Sequence, residues 1–468
     1  MNELYNRSRE STLESNYALQ SADSPRRLDR RALFAGGAAI GAAAVLPSTS
    51  WVHAQDSMGT IQIGFDGSNQ TVRPFVEATA EELASSNPNA SVQVEASAGG
   101  SYATQLVLQL NRGQGPDVFL LSGVAVAELA EAGLVAPLTD FVANWDDWSE
   151  YRVEFRATVT YAGDVWAIPY PMDTHFLYYR RDLFAGAGLP DPWNPETPAD
   201  ILQAALTIKG EYPDAIPYAL YAGANGGNST VARGFVPLVH AYGGTLMDDD
   251  GLWIIDSCAI RDALTFYEQA FQVDQVVPQD VMTGASPPSA MRQAMGDGTL
   301  GILYEGSWTY QPWLEDDPES TEANIGLAFF PTADDREPFA VGGTGNCWYI
   351  NASSKHPDLA WRFIEAFNAP ANQVALNLVD PHIPARSDAA SDPSFQRTEF
   401  LSAMVASADV LLLADPDPAF RELITIVQNA TGIVATGEAD SETAVERYAS
   451  ELTRVLSEGN VVRQTCPR

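Results

Sequence analysis

Lysine is almost absent from this chain of 468 residues: it stands only at positions 209 and 355, whereas arginine occurs 24 times. The 26 basic residues face 61 acidic ones, and the formal net charge is −35. Nucleic acids and anionic membrane surfaces are bound through basic surfaces, because phosphate groups repel acidic ones. The composition therefore argues against both as partners.

The excess of acidic residues has two interpretations that the sequence leaves open. Like charges repel one another within a folded chain, and dissolved salt screens that repulsion. A net charge of −35 therefore suits a protein from a saline environment. It is equally compatible with a generally acidic secreted protein.

Cysteine is scarce as well, with Cys258, Cys347 and Cys466 as the only three. So small and odd a number excludes a disulfide scaffold and allows at most one intramolecular bridge. The sequence leaves open whether Cys258 or Cys347 pairs with Cys466. No Cys-x-x-Cys and no Cys-His zinc spacing occurs, so neither a metal nor another cofactor is expected.

The sequence offers little for catalysis. Its five histidines lack metal-binding spacing, and the Gly-x-Ser-x-Gly elbow of serine hydrolases is missing. A secreted glycosidase with paired carboxylates stays open as a minor alternative, because 61 acidic residues form many pairs by chance. We therefore expect a protein that is not an enzyme.

One long apolar run is present, near the start of the chain. Ala32–Leu46 covers about 15 residues, short of the roughly 20 that a membrane-spanning helix needs. Arg30-Arg31 precedes it, and Val52–Ala54 follows with the small residues of a signal peptidase site. Residues 1–54 are therefore predicted to be a secretory signal, similar to those of the twin-arginine pathway. The mature chain would begin near Gln55 and reach the periplasm or the outer face of the cell membrane.

Beyond this signal, strand-like and helix-like patterns alternate in a chain that is 46% hydrophobic. Thr60–Phe65 alternates with the period of a strand, and 72–86 has the spacing of a helix. The apolar run at 117–121 predicts a buried strand, and 168–179 predicts a single longer one. Such alternation is typical of α/β layers around a mainly parallel sheet.

Short motifs occur in a characteristic order along this mature part. They are Gly115–Val118, Leu129–Leu138, Tyr161–Pro169, Leu177–Phe184, Asp297–Trp308, Gly342–Ile350 and Ala360–Ile364. In this order, and behind an export signal, they resemble the extracellular solute-binding proteins of family 1, the carbohydrate receptors of ABC importers. The resemblance runs from about Thr60 to the C-terminus.

The resemblance implies a periplasmic-binding-protein-like fold. Two discontinuous α/β lobes would be joined by a hinge, with the ligand in the cleft between them. The N-terminal lobe would comprise residues 55–170 plus 331–383, and the C-terminal lobe residues 171–330 plus 384–468. Lobes of this kind close around their ligand by hinge motion.

The resemblance also implies a function without chemistry. The protein would act as a monomer that captures a neutral sugar, an oligosaccharide or a glycoside, and delivers it to the permease subunits of an ABC importer. Relatives that bind glycerol phosphate esters or polyols supply the main alternative. A phosphate ligand would require a basic cleft or helix N-termini, and the scarcity of lysine disfavours it.

Sugars have apolar ring faces and a rim of hydroxyls, so proteins bind them with aromatic rings and with carboxylates. By resemblance, Trp308 stacks on the sugar ring, while Asp173 and Asp66 accept hydrogen bonds from its hydroxyls. The structural alternatives are a tryptophan of the core, a solvated acid near the hinge and an ordinary turn acid.

Further candidates depend on their place along the chain. Ser122 follows a predicted strand at its carboxyl end, where ligands of α/β sheets bind, and Tyr102 opens a helix after two glycines. The remaining candidates are Gly343, Thr344, Arg233 and Arg386. The first two would offer backbone amides to the ligand. The arginines would donate to sugar hydroxyls, or bind an acidic substrate, if they face the cleft.

Overall fold

The structure is a computed structural model that describes residues 59–67, 69–97, 102–282, 286–413 and 420–466. The predicted signal at 1–54 and its cleavage site lie outside these residues, so both stay predictions. Among the described helices, none combines the length and the apolar character needed to cross a membrane.

Strands and helices alternate along the chain, as the sequence predicts. The strands are β1 (Gly59–Asp66), β2 (Ala90–Ser97), β3 (Val118–Ser122), β4 (Thr160–Tyr161), β5 (Asp164–Val165), β6 (Ile168–Pro169), β7 (Pro171–Arg180), β8 (Ile216–Ala219), β9 (Trp253–Asp256), β10 (Leu300–Gly306), β11 (Ile325–Ala328), β12 (Ala340–Thr344), β13 (Asn346–Ile350), β14 (Ile383–Pro384), β15 (Leu411–Leu412) and β16 (Val461–Arg463).

The helices are α1 (Arg73–Ser86), α2 (Tyr102–Leu110), α3 (Val126–Glu131), α4 (Thr139–Val142), α5 (Val153–Ala157), α6 (Arg181–Gly186), α7 (Pro198–Glu211), α8 (Val236–Ala241), α9 (Cys258–Glu268), α10 (Gln279–Met282), α11 (Pro287–Gly296), α12 (Tyr310–Asp316), α13 (Pro318–Asn324), α14 (Pro357–Phe367), α15 (Pro370–Val379), α16 (Ser387–Ala390), α17 (Glu399–Ala406), α18 (Phe420–Ala435) and α19 (Ser441–Leu456).

The first sheet has the strand order β2-β1-β3-β13-β6. Strand β1 is parallel to both β2 and β3, and β13 is antiparallel to β3. All five residues of β3 are buried, which explains its unbroken apolar run. Because β1 and β3 are parallel, their carboxyl ends, at Asp66 and Ser122, lie at the same edge of the sheet.

The second sheet is organised around β7, whose ten residues are all buried. The first half of β7 pairs with β12 and β14, and its second half pairs with β10 and β11, always antiparallel. Strand β8 extends the sheet beside β10, and β15 extends it beside β12. So long a buried strand requires an apolar sequence on both faces, which is what the run Phe176–Tyr179 supplies.

The chain passes between the two sheets at Tyr170 and at Gly345. Strand β6 belongs to the first sheet and β7 to the second, so the single strand predicted over 168–179 is broken at Tyr170. The expected lobe bounds place 331–383 in the N-terminal lobe, whereas β12 pairs with β7 in the second sheet. The Gly-Gly-Thr end of β12 has little hydrophobic pattern, and pattern alone does not tell which sheet a strand joins.

The C-terminus is attached covalently to the second half of the molecule. Cys258 and Cys466 form a disulfide, which resolves the pairing that the sequence left open, and Cys347 is free and buried. Strand β16 pairs in parallel with β9 just before this bridge. Arg463 also binds Asp256 at the end of β9, with 2.7 Å between Nη1 and Oδ2.

Candidate functional site

Most of the predicted site residues gather where the chain passes between the two sheets. Asn346, the first residue of β13, lies opposite Ser122 in the register of the first sheet. Next to it, a Cβ atom at Gly345 would lie 2.6 Å from Oδ1 of Asp173. Only a glycine therefore lets the Asp173 carboxylate lie so close to the crossing strand. This crossing joins one group of polar residues on the first sheet to another on the second.

The group on the first sheet surrounds a small cavity of about 10 Å³. Asp66, Asn69, Tyr102, Ser122 and Asn346 contribute its polar lining. The hydroxyls of Tyr102 and Ser122 are buried, and neither has a hydrogen-bond partner among the described residues. A cavity of this size holds about one water molecule or one polar group of a ligand.

Burial keeps the hydroxyl of Tyr102 protonated. Loss of solvent and, to a lesser degree, the nearby Asp66 carboxylate hold the pKa of Tyr102 well above its usual value of 10.0. At neutral pH this side chain therefore offers an O–H donor beside a carboxylate, and Ser122 adds a second hydroxyl. Both types of group suit hydroxyl-rich ligands.

The group on the second sheet begins with Asp173, in β7. Asp173 is 3% exposed. Burial raises the pKa of its carboxyl from 3.8 to about 6, although His382 and Arg233 act in the opposite direction. Its neighbour His175 donates from Nδ1 to the carbonyl of Val341 at 2.7 Å, and burial lowers the pKa of its imidazole to about 4. His175 is therefore neutral at pH 7.

Replacing Asp173 with asparagine should stabilise the protein at neutral pH. The raised pKa means that the protonated carboxyl favours folding below about pH 4, and that this contribution is lost as the pH rises through about 6. Since one pKa unit corresponds to about 1.4 kcal/mol, Asp173→Asn should gain roughly 2–3 kcal/mol at pH 7.5. Unfolding by urea at pH 4 and pH 7.5 measures this difference.

The free energy of unfolding must be compared between variant and wild type at each pH, because His175 makes it depend on pH in the opposite direction. Its lowered pKa stabilises the fold above pH 6.5, and that contribution is lost as the pH falls towards 4. It is present in both proteins and cancels in the difference. An equal gain from Asp173→Asn at both pH values would contradict the assignment.

Trp308 follows strand β10 and is almost completely covered, with 3% of its surface exposed. The imidazole of His382 stacks on the indole, with 5.2 Å between ring centroids and 16° between planes. His175 meets the indole edge-on at 5.3 Å, and a side chain at Gly306 would collide with its benzo ring. A ligand can therefore stack on Trp308 only if one of these neighbours moves.

Arg233 lies 5.5 Å from the centre of the Trp308 ring, but its charge is already paired. The carboxylate of Glu305 lies 2.8 Å from Nη1 of Arg233 and 3.6 Å from Nη1 of Arg292. Tyr221 and the backbone N–H of Gly306 also donate to it, each at 3.0 Å. Glu305 is fully buried, so this is a charge network inside the second sheet and beneath Trp308.

Gly343 and Thr344 lie opposite Asp173 and Met172 in the register of β12 with β7. Nothing lies within 4 Å of the point where a Cβ of Gly343 would be, so its backbone faces open space. Thr344 is buried and packs against Gly123, the residue that follows β3 of the first sheet. The backbone N–H of Gly123 donates to the carbonyl of Gly345 at 2.8 Å, which fastens the two sheets at this point.

Arg386 is placed apart from the other candidates. It is 2% exposed and binds Asp147 at 2.6 Å and Asp388 at 2.7 Å. Its Nη1 also donates to the carbonyl of Asn368 at 3.4 Å. These contacts join the segment before α5 to the segment after β14. Ligand binding by Arg386 stays a prediction, and it would require these ion pairs to break.

Sequence reasoning missed the histidines and acids that complete this site. Glu305 had a signal: it is the one charged residue in the otherwise apolar and glycine-containing strand β10. His175 is the one histidine of β7 and directly precedes its apolar run Phe176–Tyr179. His382 had none, because it lies in a connecting segment that only the fold brings to Trp308. No group of His, Cys, Asp and Glu residues in the described parts of the chain is arranged to hold a metal ion.

Comparison with known proteins gives one family over most of the chain. The sequence model of a family described as bacterial extracellular solute-binding protein matches residues 67–374. A maltodextrin-binding protein of Bacillus subtilis is 22% identical over 357 residues, which cover 74% of this chain and 78% of the relative. A maltotriose-binding protein of Pyrococcus abyssi is 21% identical over 359 residues, covering 75% and 72%.

The fold also matches solved structures. An ABC transporter solute-binding protein of Thermotoga lettingae, solved with α-D-tagatose, superposes with a TM-score of 0.73. The match covers 85% of this chain and 100% of the other at 22% identity. The likeness confirms the two-lobed α/β fold that the sequence predicts.

Proposed function

We propose that this chain, which belongs to the bacterial extracellular solute-binding protein family, captures a neutral sugar and presents it to an ABC importer without changing it chemically. The family and the two relatives named above are binding proteins, not enzymes. Lobe closure around the crossing at Tyr170 and Gly345 would hold the sugar and give the permease a surface that differs from that of the open form.

The observation that carries this proposal is the set of hydrogen-bonding groups on both sides of the crossing. Tyr102 and Ser122 have buried hydroxyls without a partner among the described residues. A buried polar group that lacks a partner costs about 1–3 kcal/mol, and the hydroxyls of a sugar would remove that cost. Asp173 lies beside Gly345, the residue before Asn346 of this cavity, and its carboxylate accepts hydrogen bonds.

The charges of the site favour a neutral ligand over a phosphate ester. Arg233 is paired with Glu305, and Arg386 with Asp147 and Asp388. A phosphate would therefore have to compete with carboxylates that both arginines already contact. The carboxylate of Asp173 next to Arg233 would repel one.

Titration calorimetry with purified protein tests the proposal, using maltotriose, other oligosaccharides, polyols and glycerol phosphate esters. Maltotriose comes first because a relative is a maltotriose-binding protein. We expect one neutral sugar to bind, and Asp66→Asn and Asp173→Asn each to weaken it roughly 10- to 100-fold, since a hydrogen bond to a charged group contributes about 1.5–3 kcal/mol.

Asp249→Asn is the matched control, because Asp249 is exposed in a turn far along the chain from these groups. It should leave the affinity unchanged. Binding of phosphate esters alone, lost in Arg233→Ala, would overturn the proposal in favour of the main alternative. Release of reducing sugar from a bound oligosaccharide would identify an enzyme instead.

Three further parts of the proposal concern the cell. The signal predicted at 1–54 would export the chain to the periplasm or to the outer face of the membrane. There the protein would act as a monomer, since one chain would supply both lobes of the cleft. Its macromolecular partner would be the permease of the importer.

A further inference from the structure

Trp308 and Asp173 share one neighbour, the imidazole of His382. The ring stacks on the indole at 5.2 Å, and its Nε2 lies 3.5 Å from Oδ1 of Asp173. The side chain of His382 is 12% exposed, so it is nearly enclosed between these two groups. His382 thus makes one face-to-face contact with an aromatic ring and one polar contact with a carboxylate.

A sugar bound at this place would lie against the same two groups, with its ring face on the indole and a hydroxyl donating to the carboxylate. We propose that His382 is an internal competitor, which occupies the position of the sugar on Trp308 and Asp173 and must be displaced when the sugar binds. This inference rests on the proposed function, because it needs a ligand that uses both groups.

The other neighbours of Trp308 described above are unsuited to move. His175 belongs to the buried strand β7, and Gly306 ends β10. Arg233 is held by Glu305 and by the hydroxyl of Ser229 at 2.8 Å. His382, in contrast, lies in the short connection 380–382 between α15 and β14. Rotation of one side chain in this connection uncovers the indole without breaking a strand.

Local hydrogen bonds position the competitor. Nδ1 of His382 donates to the carbonyl of Asp380 at 2.8 Å, which directs Nε2 towards Asp173. The carbonyl of Pro381 accepts from the hydroxyl of Ser307 at 2.6 Å, so the connection is fastened next to Trp308 itself. The backbone can stay in place while the imidazole leaves.

Displacement has a thermodynamic consequence. A site that is free only part of the time binds with an apparent affinity reduced by that fraction. Removing the imidazole should therefore strengthen sugar binding, which is the opposite of what the loss of a direct ligand contact would do. Tighter sugar binding after the replacement of His382 would therefore identify a competitor, and weaker binding would identify a direct ligand contact.

The test compares His382→Ala and His382→Asn with wild type by calorimetry, with maltotriose as the first probe and the rest of the sugar panel after it. Asparagine keeps a polar group near Asp380 but has no ring to stack. We expect both variants to bind about tenfold more tightly than wild type, a change of about 1.4 kcal/mol. His356→Ala, at the start of α14 on the side of the first sheet, is the control and should change nothing.

A second measurement needs no sugar. Oxidation of tryptophans by N-bromosuccinimide, mapped by peptide mass spectrometry, should be slow at Trp308 in wild type and several-fold faster in His382→Ala. Trp348, fully buried in the first sheet, should stay unreactive in both proteins. Addition of the bound sugar should protect Trp308 again in the variant.

The outcomes are distinct. Tighter binding together with faster oxidation supports the internal competitor. Weaker or unchanged binding in both variants overturns it, whatever the oxidation shows, and leaves the proposed function intact. If no sugar binds any of the proteins, the proposed function fails, and the competitor fails with it even where His382→Ala exposes Trp308.

Discussion

Replacing Glu305 with glutamine should lower the free energy of unfolding by about 3–5 kcal/mol, the usual cost of removing one partner from a buried ion pair. Burial alone would raise the pKa of Glu305, but Arg233 and Arg292 outweigh it and hold the pKa below its ordinary 4.5. The carboxylate is therefore ionised at pH 7. Without it, two largely buried guanidinium groups lose this carboxylate as a partner.

Urea unfolding at pH 7 measures this effect, and its pH dependence identifies its origin. A carboxylate whose pKa is lowered by folding stabilises the protein at pH values above its ordinary pKa. This stabilisation is lost as the pH falls through the lowered pKa of the folded state. The difference in the free energy of unfolding between wild type and Glu305→Gln should therefore become smaller only below pH 4.5.

A matched replacement at the surface separates the charge network from general effects of the change. Glu319 is exposed in the first turn of α13, and Glu319→Gln should cost less than about 0.5 kcal/mol. A loss below 1 kcal/mol in Glu305→Gln would mean that water or rearrangement compensates Arg233. Trp308 should also become more reactive in this variant, because Arg233 beside it is released.

Replacing both Cys258 and Cys466 with serine should lower the free energy of unfolding by about 4 kcal/mol. The disulfide joins residues 208 positions apart and so restricts the conformations open to the unfolded chain. It also fastens β16, whose only strand partner in the described structure is β9. Thermal unfolding of the double variant measures the loss. Peptide mapping of the wild-type protein without reduction should recover a peptide pair in which Cys258 is joined to Cys466.

Cys347→Ala serves as the control for the bridge. Cys347 is free and buried, so this change removes a thiol from the core without opening a loop. It should cost clearly less than the double variant. A double variant as stable as wild type would show that pairing of β16 with β9 holds the C-terminus without the disulfide.

Local patterns predicted the individual elements well because they depend on neighbours in the chain. The helix predicted to begin at Tyr102 has the bounds Tyr102–Leu110, and the buried strand predicted over 117–121 is Val118–Ser122. Periodicity reports which residues share a face of a helix or strand. It does not report which sheet receives them, so the pattern alone left the sheet of β12 open. The crossing at Tyr170 coincides with the lobe bound between residues 170 and 171 that the resemblance implies.

In the candidate site, too, the positions of single residues follow from local sequence, whereas their contacts depend on the tertiary structure. Ser122 was predicted because ligands of α/β sheets bind at the carboxyl ends of the strands, and Asp66 was predicted by resemblance. The two residues line the same small cavity, and their binding of a ligand stays a prediction. Glu305 carried a weaker signal, as a lone acid in an apolar strand. Arg233 was noticed, but its pairing with Glu305, 72 residues away, depends on the register of β10 in the second sheet.

The family resemblance, the alternation of strands and helices and the polar residues at strand ends were all readable from the sequence, since each depends on residues close together in the chain. The pairing of Cys258 with Cys466, the ion pair of Glu305 with Arg233 and the stacking of His382 on Trp308 were not readable from it. These contacts join segments far apart in the sequence, and they exist only because the packing of two sheets brings their ends together.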